Sequence, residues 1–262
     1  MKPIFRHSLG LLLTAVCAAV WMVSTGMARH GLRARTCQGK GSLQVTVTDS
    51  LERRFVARAD VQEWLDKEYG AYAGLPLDSV DLSRIERIIC SHSAVRDCEA
   101  WLTDDGVLHV QLSQRQPVIR LEDGHNACYA DQTGYLFPLQ SRGSVQVPVV
   151  SGKIPFPLEK GFKGYLEDPA GKLWLDQVIA LVGYMEGTVW EKDIRRVVVK
   201  DSGELVLYPV QGKEEFLFGP PVRIPEKFML LTAYYRSVAP SKDPGYYSKV
   251  DLRYRKQLVC KK

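Results

Sequence analysis

Residues 246–262, which close the chain, read YYSKVDLRYRKQLVCKK. Aromatic and β-branched residues recur in this stretch and no Gly or Pro interrupts it, so it predicts one extended β-strand at the edge of a sheet. Its six basic side chains accompany a single acid, Asp251. Charge on an edge strand either protects it from aggregation or selects an oppositely charged strand that adds to the sheet.

The composition indicates an ordinary folded protein. The chain has 262 residues, of which 45% are hydrophobic and 25% are charged, and this length fits one large domain or two modest ones. The net charge of +5 is mild, and the aromatic and basic pattern of an RNA-binding sheet does not occur. We therefore expect no nucleic-acid partner.

An uncharged segment near the N-terminus predicts a membrane anchor. Residues 8–28 carry no charged side chain, and at about 1.5 Å per residue they span roughly 30 Å, the thickness of a bilayer's hydrocarbon core. They predict one transmembrane helix between a short cytoplasmic tail, residues 1–7, and a linker, residues 29–41. A cleaved signal peptide is the alternative, although its apolar region is usually shorter. Basic residues flank both ends, so flanking charge does not decide the orientation.

The remaining sequence predicts an α+β fold in two domains. Residues 42–121 give the order β-α-α-β-β, with Asp60 and Asp81 as helix N-caps and a hairpin turn at Asp104–Gly106. Residues 122–262 are richer in strands and end in the predicted edge strand. Asp168 followed by Pro169 predicts the start of a helix in this second domain.

The cysteines leave two interpretations open. Five of them lie outside the predicted membrane helix, namely Cys37, Cys90, Cys98, Cys128 and Cys260, and no two are spaced as CxxC. This spacing argues against a zinc ribbon or a thioredoxin-like site. Cys90 and Cys98 either pair as a disulfide, if their Cα separation allows it, or remain buried thiols.

No motif in the sequence indicates an active site. Residues 131–134, DQTG, resemble the Asp-Thr-Gly of aspartic proteases only loosely and occur once, whereas those enzymes need two such aspartates; a plain turn is the better interpretation. Cys90, His92, Cys98 and His109 match no metal-ligand spacing. We therefore expect no catalytic residues, no cofactor, no metal and no small-molecule substrate.

Three short motifs carry a resemblance to a known family. They are VPVVSG at residues 147–152, DQTG at residues 131–134 leading into FPL at residues 137–139, and VDLRY at residues 250–254. Together with one anchor, a β-α-α-β-β module and a β-rich domain, their order resembles the bacterial cell-division proteins FtsQ and DivIB. The β-α-α-β-β module is similar to the POTRA domain of that family. The cytoplasmic tail is shorter than is typical there.

The resemblance implies a non-enzymatic scaffold of the divisome, anchored in the bacterial inner membrane at the division septum with its bulk extracytoplasmic. Such a scaffold binds FtsB-like and FtsL-like proteins and helps to control septal peptidoglycan synthesis. It implies that a partner strand adds to the last strand, that Arg253 pairs with an acidic partner residue and that Tyr254 is an aromatic anchor. The predicted partner-binding residues are Tyr247, Val250, Leu252, Arg253, Tyr254 and Lys256. The alternatives are another POTRA-containing envelope assembly or secretion factor, and a secreted enzyme with a cleaved signal peptide.

Overall fold

The computed structural model describes residues 16–24, 35–48, 55–140, 145–243 and 245–262. Residues 16–24 are helical and are called α1 here. No helix within the described residues is both long enough and apolar enough to cross a membrane. The predicted tail at residues 1–7 lies outside the described residues, as do the two ends of the predicted transmembrane helix and residues 29–34 of the linker.

The described residues 35–48 and 56–114 lie in a first compact unit around a three-stranded sheet. Its elements are β1 (Gln44–Val47), α2 (Arg58–Trp64), α3 (Leu82–Ser91), β2 (Val95–Leu102) and β3 (Leu108–Gln114). The sheet order is β1-β3-β2, with β1 parallel and β2 antiparallel to β3. This is the predicted β-α-α-β-β order. Its core comes from apolar positions spaced for one helix face, such as Ile85 and Ile89, which are both 0% exposed.

The described residues from 115 to 262, together with Phe55, form a second compact unit around a nine-stranded sheet. The strands are β4 (Pro117–Glu122), β5 (Ala127–Asp131), β6 (Leu136–Pro138), β7 (Val149–Gly152), β8 (Ile194–Val199), β9 (Leu205–Pro209), β10 (Glu215–Gly219), β11 (Lys249–Asp251) and β12 (Val259–Lys261). Their order in the sheet is β12-β11-β10-β9-β8-β7-β4-β5-β6. Since β4 pairs with β5 and β7, the two units divide between Gln114 and Arg115 rather than after residue 121.

Three α-helices lie in the described part of the second unit: α4 (Pro169–Met185), α5 (Val189–Asp193) and α6 (Ile224–Ala233). Helix α4 begins as predicted, because the Asp168 carboxylate accepts a hydrogen bond of 2.7 Å from the Gly171 amide. Its buried face shares one apolar core with the strands and with α6; Val178, Phe216 and Leu231 are each 0% exposed in that core. This core extends to β11, where Val250 is 0% exposed.

Candidate functional site

The C-terminal residues form a hairpin, so the prediction of one extended strand over residues 246–262 is wrong. Strand β11 pairs with β10 in parallel and with β12 in antiparallel orientation. Between the two strands the chain turns through residues 252–258, where Lys256 adopts a positive φ of 56°. The edge of the sheet is therefore β12, and β11 lies one strand inside it.

The hydrogen-bond register shows which amide of β12 faces the open side. The Glu215 amide donates to the Ser248 carbonyl at 2.8 Å, and the Leu252 amide donates to the Leu217 carbonyl at 3.0 Å. The backbone groups of Val250, which lies between these two contacts, therefore face β10, and those of Lys249 and Asp251 face β12. Lys249 and Asp251 face Lys261 and Val259. By alternation, the N–H and C=O of Cys260 point away from β11, toward the open edge.

The opposite edge of the same sheet is covered. Strand β6 exchanges two backbone hydrogen bonds with Gly164, of 2.8 Å and 3.0 Å, through Leu136. In the described part of the chain, β12 has no strand on its outer side. An uncovered edge presents donors and acceptors that another strand can pair with.

Positive charge surrounds the uncovered edge. Lys261 and Lys262 are exposed on β12 and just after it, and the Lys262 ammonium lies 4.4 Å from the centre of the Tyr246 ring. On the neighbouring strand Lys249 is half exposed and lies 3.9 Å from a carboxylate oxygen of Glu215. A strand that adds here meets a basic rim, which favours an acidic partner.

The predicted site residues are divided between the core and the surface. Val250 and Leu252 are both 0% exposed and lie in the core, so their part in partner binding stays a prediction. Tyr247 is half buried and packs on the core. Tyr254 is 48% exposed on the turn of the hairpin. Lys256 is exposed on the same turn, and its amide donates to Glu226 at 3.3 Å.

Arg253 pairs with acidic side chains of its own chain, and its predicted pairing with a partner's acid stays a prediction. Its Nε and Nη2 donate to the two carboxylate oxygens of Asp251 at 2.9 Å and 2.7 Å. Its Nη1 lies 3.3 Å from a carboxylate oxygen of Glu204. Burial opposes ionisation of Asp251, but the hydrogen bonds and charge of Arg253 outweigh that effect and lower the pKa of Asp251. The same pairing raises the pKa of Arg253.

One groove of the second unit has few of the side chains that catalysis needs. It has a volume of about 930 Å³ and lies beside α4. Its titratable lining side chains are Asp176, Glu186, Glu191 and Arg196. No Ser, Cys, His or Lys lines it among the described residues, so it presents no nucleophile with an adjacent base.

The other residues considered for chemistry serve the fold. Asp131 is 5% exposed, and one of its carboxylate oxygens accepts hydrogen bonds from the Thr133 amide and hydroxyl at 2.9 Å and 2.6 Å. The segment is thus a turn held by its own side chains. The imidazole of His92 stacks on Trp64 with ring centres 3.6 Å apart, and that of His109 stacks on Trp101 at 5.3 Å. Across the described residues, no three His, Cys, Asp or Glu side chains are grouped to hold a metal ion.

Comparison with known families covers both units. Residues 116–261, more than half of the chain, match the family described as "FtsQ/DivIB, C-terminal related". The chain belongs to this family. Residues 36–113 match the POTRA-like domain. No curated protein gives a significant match to the chain.

In this member of the FtsQ/DivIB-related family, strand packing requires the glycine that ends the VPVVSG motif. Gly152 ends β7 with φ at +117°, and a Cβ at this position would collide with the carbonyl oxygen of Val199 on β8. Strand β7 can lie between β4 and β8 only if its last residue lacks a side chain. The motif thus supports the sheet that carries the C-terminal hairpin.

The sequence interpretation missed the importance of Cys260 at this family member's open edge. Cys260 is uncharged, is half buried and packs on the core. Its side chain therefore does not mark it in the sequence as a residue of an open edge. The available signal is the polar run RYRKQ at residues 253–257, which separates two apolar stretches. That separation is what a hairpin turn requires, even without Gly or Pro.

Proposed function

We propose that this protein is a non-enzymatic, membrane-anchored scaffold of the divisome that binds FtsB-like and FtsL-like proteins at the septum. In this proposal the anchor is a single pass through the inner membrane, the folded units are extracytoplasmic, and the scaffold helps to control septal peptidoglycan synthesis. The uncovered β12 edge, in a chain of the FtsQ/DivIB-related family, is the observation that carries the proposal.

Strand addition fits the chemistry of this edge. The outward N–H and C=O of Cys260 supply backbone hydrogen bonds, which give affinity to an added strand. Exposed lysines on and beside β12 supply attraction for acidic side chains. Tyr254, 48% exposed on the adjoining turn, supplies a rigid aromatic surface of the kind enriched at binding hot spots.

Rigidity on the inner side supports the same proposal. Val250 and Leu252 anchor β11 in the core, and the Arg253–Asp251 pair fixes the turn that leads into β12. The edge is therefore ordered before a partner arrives. A preformed edge reduces the entropy lost when a strand adds to it.

A second candidate function is that of a POTRA-containing envelope assembly or secretion factor. It is favoured by the POTRA-like match of residues 36–113 and by the position of β2 at an edge of the three-stranded sheet. In that case the main partner strand adds to β2 rather than to β12. The two candidates therefore differ in which edge a partner protects.

Two substitutions at one residue test the proposal. Cys260→Pro removes the outward amide of β12, whereas Cys260→Val, the matched control, changes the side chain and retains the amide. We expect Pro to weaken binding of the FtsB-like protein of the source cell at least about tenfold, since a lost hydrogen bond costs about 1.5 kcal/mol. Val should leave the affinity unchanged. Equal binding by all three full-length proteins would exclude the β12 edge and leave the β2 edge to be examined.

A further inference from the structure

Helix α3 and strand β2 form a helix–strand hairpin in the first unit. The helix ends at Ser91, the strand begins at Val95, and Ala100 of the strand contacts Glu86 of the helix, so the two elements run in opposite directions. A hydrogen bond of 2.9 Å from the Ala100 amide to the Glu86 carboxylate joins them. This bond fixes the level of the helix relative to the strand.

From this bond, two cysteines can be placed by counting along each element. Cys90 lies four residues after Glu86, about 6 Å along the helix and on the same face. Cys98 lies two residues before Ala100, about 6.6 Å along the strand and on the same face of the sheet. Both steps lead toward the turn that joins the elements. Cys90 and Cys98 therefore lie at the same level, on facing sides.

The environment of the two sulfurs agrees with this placement. Cys90 is exposed and Cys98 is half buried. Burial, followed by the nearby Cys90 and Glu86, raises the pKa of Cys98 to about 12, and the two side chains are in hydrogen-bonding contact. The other cysteines of the folded units are on different elements: Cys128 is on β5, Cys260 is on β12, and Cys37 precedes β1.

We propose that Cys90 and Cys98 are a disulfide site that locks helix α3 to the edge strand β2. A disulfide needs an S–S distance of about 2 Å, so thiols already in contact need only a small movement of their side chains. The bond closes a loop of residues 90–98 and ties down one side of an edge strand.

The bond forms by exchange with a protein or small-molecule disulfide of an oxidising compartment. The exposed Cys90 sulfur, as thiolate, attacks one sulfur of the oxidant and releases the other as a thiol, which gives a mixed disulfide. The Cys98 sulfur loses its proton, attacks the Cys90 sulfur and releases the second oxidant sulfur. The two cysteines lose two electrons, and the oxidant is reduced to two thiols that take up the two protons.

Trypsin provides a direct readout, because Arg96 lies between the two cysteines. The full-length protein, purified without reductant, is incubated with oxidised glutathione, blocked with an alkylating reagent and digested. We expect one disulfide-linked pair of peptides, residues 88–96 joined to residues 97–115, which separates after reduction. We also expect the thermal midpoint to rise by about 5 °C or more on oxidation.

Variants separate this pair from other cysteines. Cys90→Ser and Cys98→Ser should each abolish the linked peptides and the rise in thermal midpoint, whereas Cys260→Ser should retain both. Alkylation of both Cys90 and Cys98 in wild-type protein after oxidation would overturn the proposal, as would linkage of either one to a different cysteine. Because the peptides are mapped on wild-type protein, poor folding of a variant does not change which cysteines are found linked.

Discussion

The guanidinium of Arg253 binds both carboxylate oxygens of Asp251, at 2.9 Å and 2.7 Å, across only two positions of sequence. Asp251 also accepts a hydrogen bond of 3.0 Å from the Arg253 amide. Asp251 is 3% exposed; Arg253 is the main partner that compensates its charge, and Lys261 adds a smaller contribution. The pair ends β11 and turns the chain toward β12.

We expect Arg253→Ala to lower the free energy of unfolding by about 1–3 kcal/mol. The loss of a partner leaves the Asp251 carboxylate buried and uncompensated, but Arg253 is 41% exposed, so solvent screening reduces the effect. Arg255→Ala, at an exposed neighbour in the same turn, is the control and should change stability little. Urea denaturation of the three proteins makes the comparison, and equal stability would show that the pair contributes nothing.

The Arg253–Asp251 pair should make the stability of the folded protein fall at acid pH. Because the pKa of Asp251 is lowered in the folded protein, its stabilising contribution is fully present above its ordinary carboxyl pKa of about 4 and is lost as the pH falls through the lowered value. Arg253→Ala should therefore lose less stability than wild type between pH 5 and pH 2 (roughly the window of carboxyl titration). A parallel decline of the two proteins would contradict this assignment.

Gly152→Ala should destabilise the second unit by about 2–4 kcal/mol, because it combines backbone strain with a collision against Val199. Gly124→Ala is a matched control, since Gly124 has a similar positive φ of 93° but open space around it. We expect only the strain term there, about 1–2 kcal/mol. Thermal melts of both variants separate strain from collision. Equal losses of stability in the two variants would show that the collision with Val199 on β8 costs no free energy.

Lys227 should make stability rise at mildly alkaline pH. It is 1% exposed, its ammonium donates to the Pro220 carbonyl at 2.6 Å, and it lies 4.3 Å from the centre of the Phe218 ring. Burial, followed by the charge of Arg223, lowers the pKa of Lys227 to about 8. Below that pH Lys227 is charged in the folded protein, and the burial of this charge lowers stability. Between about 8 and the ordinary value of about 10.4 the folded state releases a proton that the unfolded state keeps, so stability rises.

Comparison with Lys227→Met isolates this effect from other groups. The difference in unfolding free energy between wild type and variant should shift in favour of wild type by about 1 kcal/mol from pH 7 to pH 9. Lys213→Met, at an exposed lysine, should show no such shift. Raised pKa values elsewhere, such as that of Tyr235 at about 12, act with the opposite sign but cancel in the difference. A difference independent of pH would refute the lowered pKa.

Features with local causes could be predicted from the sequence. Asp81 caps α3 through a hydrogen bond of 2.8 Å from the Arg84 amide, as predicted. Asp60 lies one turn inside α2 instead, where its carboxylate accepts from the Ala57 amide at 2.8 Å. An acidic side chain at the N-cap, or three residues after it, can accept hydrogen bonds from the free amides at a helix start. The sequence alone therefore does not show which of these two positions an aspartate occupies.

Features with distant causes could not be predicted. The sequence is compatible with Arg115 as a solvated charge or as part of an ion pair between domains, yet Arg115 lies 2.9 Å from Asp131 and 3.4 Å from the centre of the Tyr135 ring. Asp123–Gly124 is a hairpin signal between β4 and β5, but it does not show that Arg115 and Asp131, 16 positions apart, meet across that hairpin. The C-terminal turn is a similar case, because Lys256 accepts a positive φ that few residues other than Gly adopt. Strand propensity alone could not reveal that turn.

Tyr254→Ala should weaken binding of the FtsB-like partner without unfolding the protein. Truncation of an aromatic hot spot costs roughly 2 kcal/mol, about thirty-fold in affinity. At 48% exposure, the ring contributes little to the core, so the melting temperature should stay near that of wild type. Affinity is measured by calorimetry or surface binding, with thermal melts of the same samples.

Tyr165→Ala is the matched control for this last prediction. Tyr165 is 51% exposed and follows Gly164, which covers the opposite edge of the sheet at β6. Its loss should leave the affinity for the partner unchanged. If Tyr254→Ala and Tyr165→Ala bind equally well, the aromatic anchor is not at Tyr254. If Tyr254→Ala loses affinity together with a large drop in melting temperature, the ring is a structural part of the hairpin, and β12 must recognise its partner through backbone and charge alone.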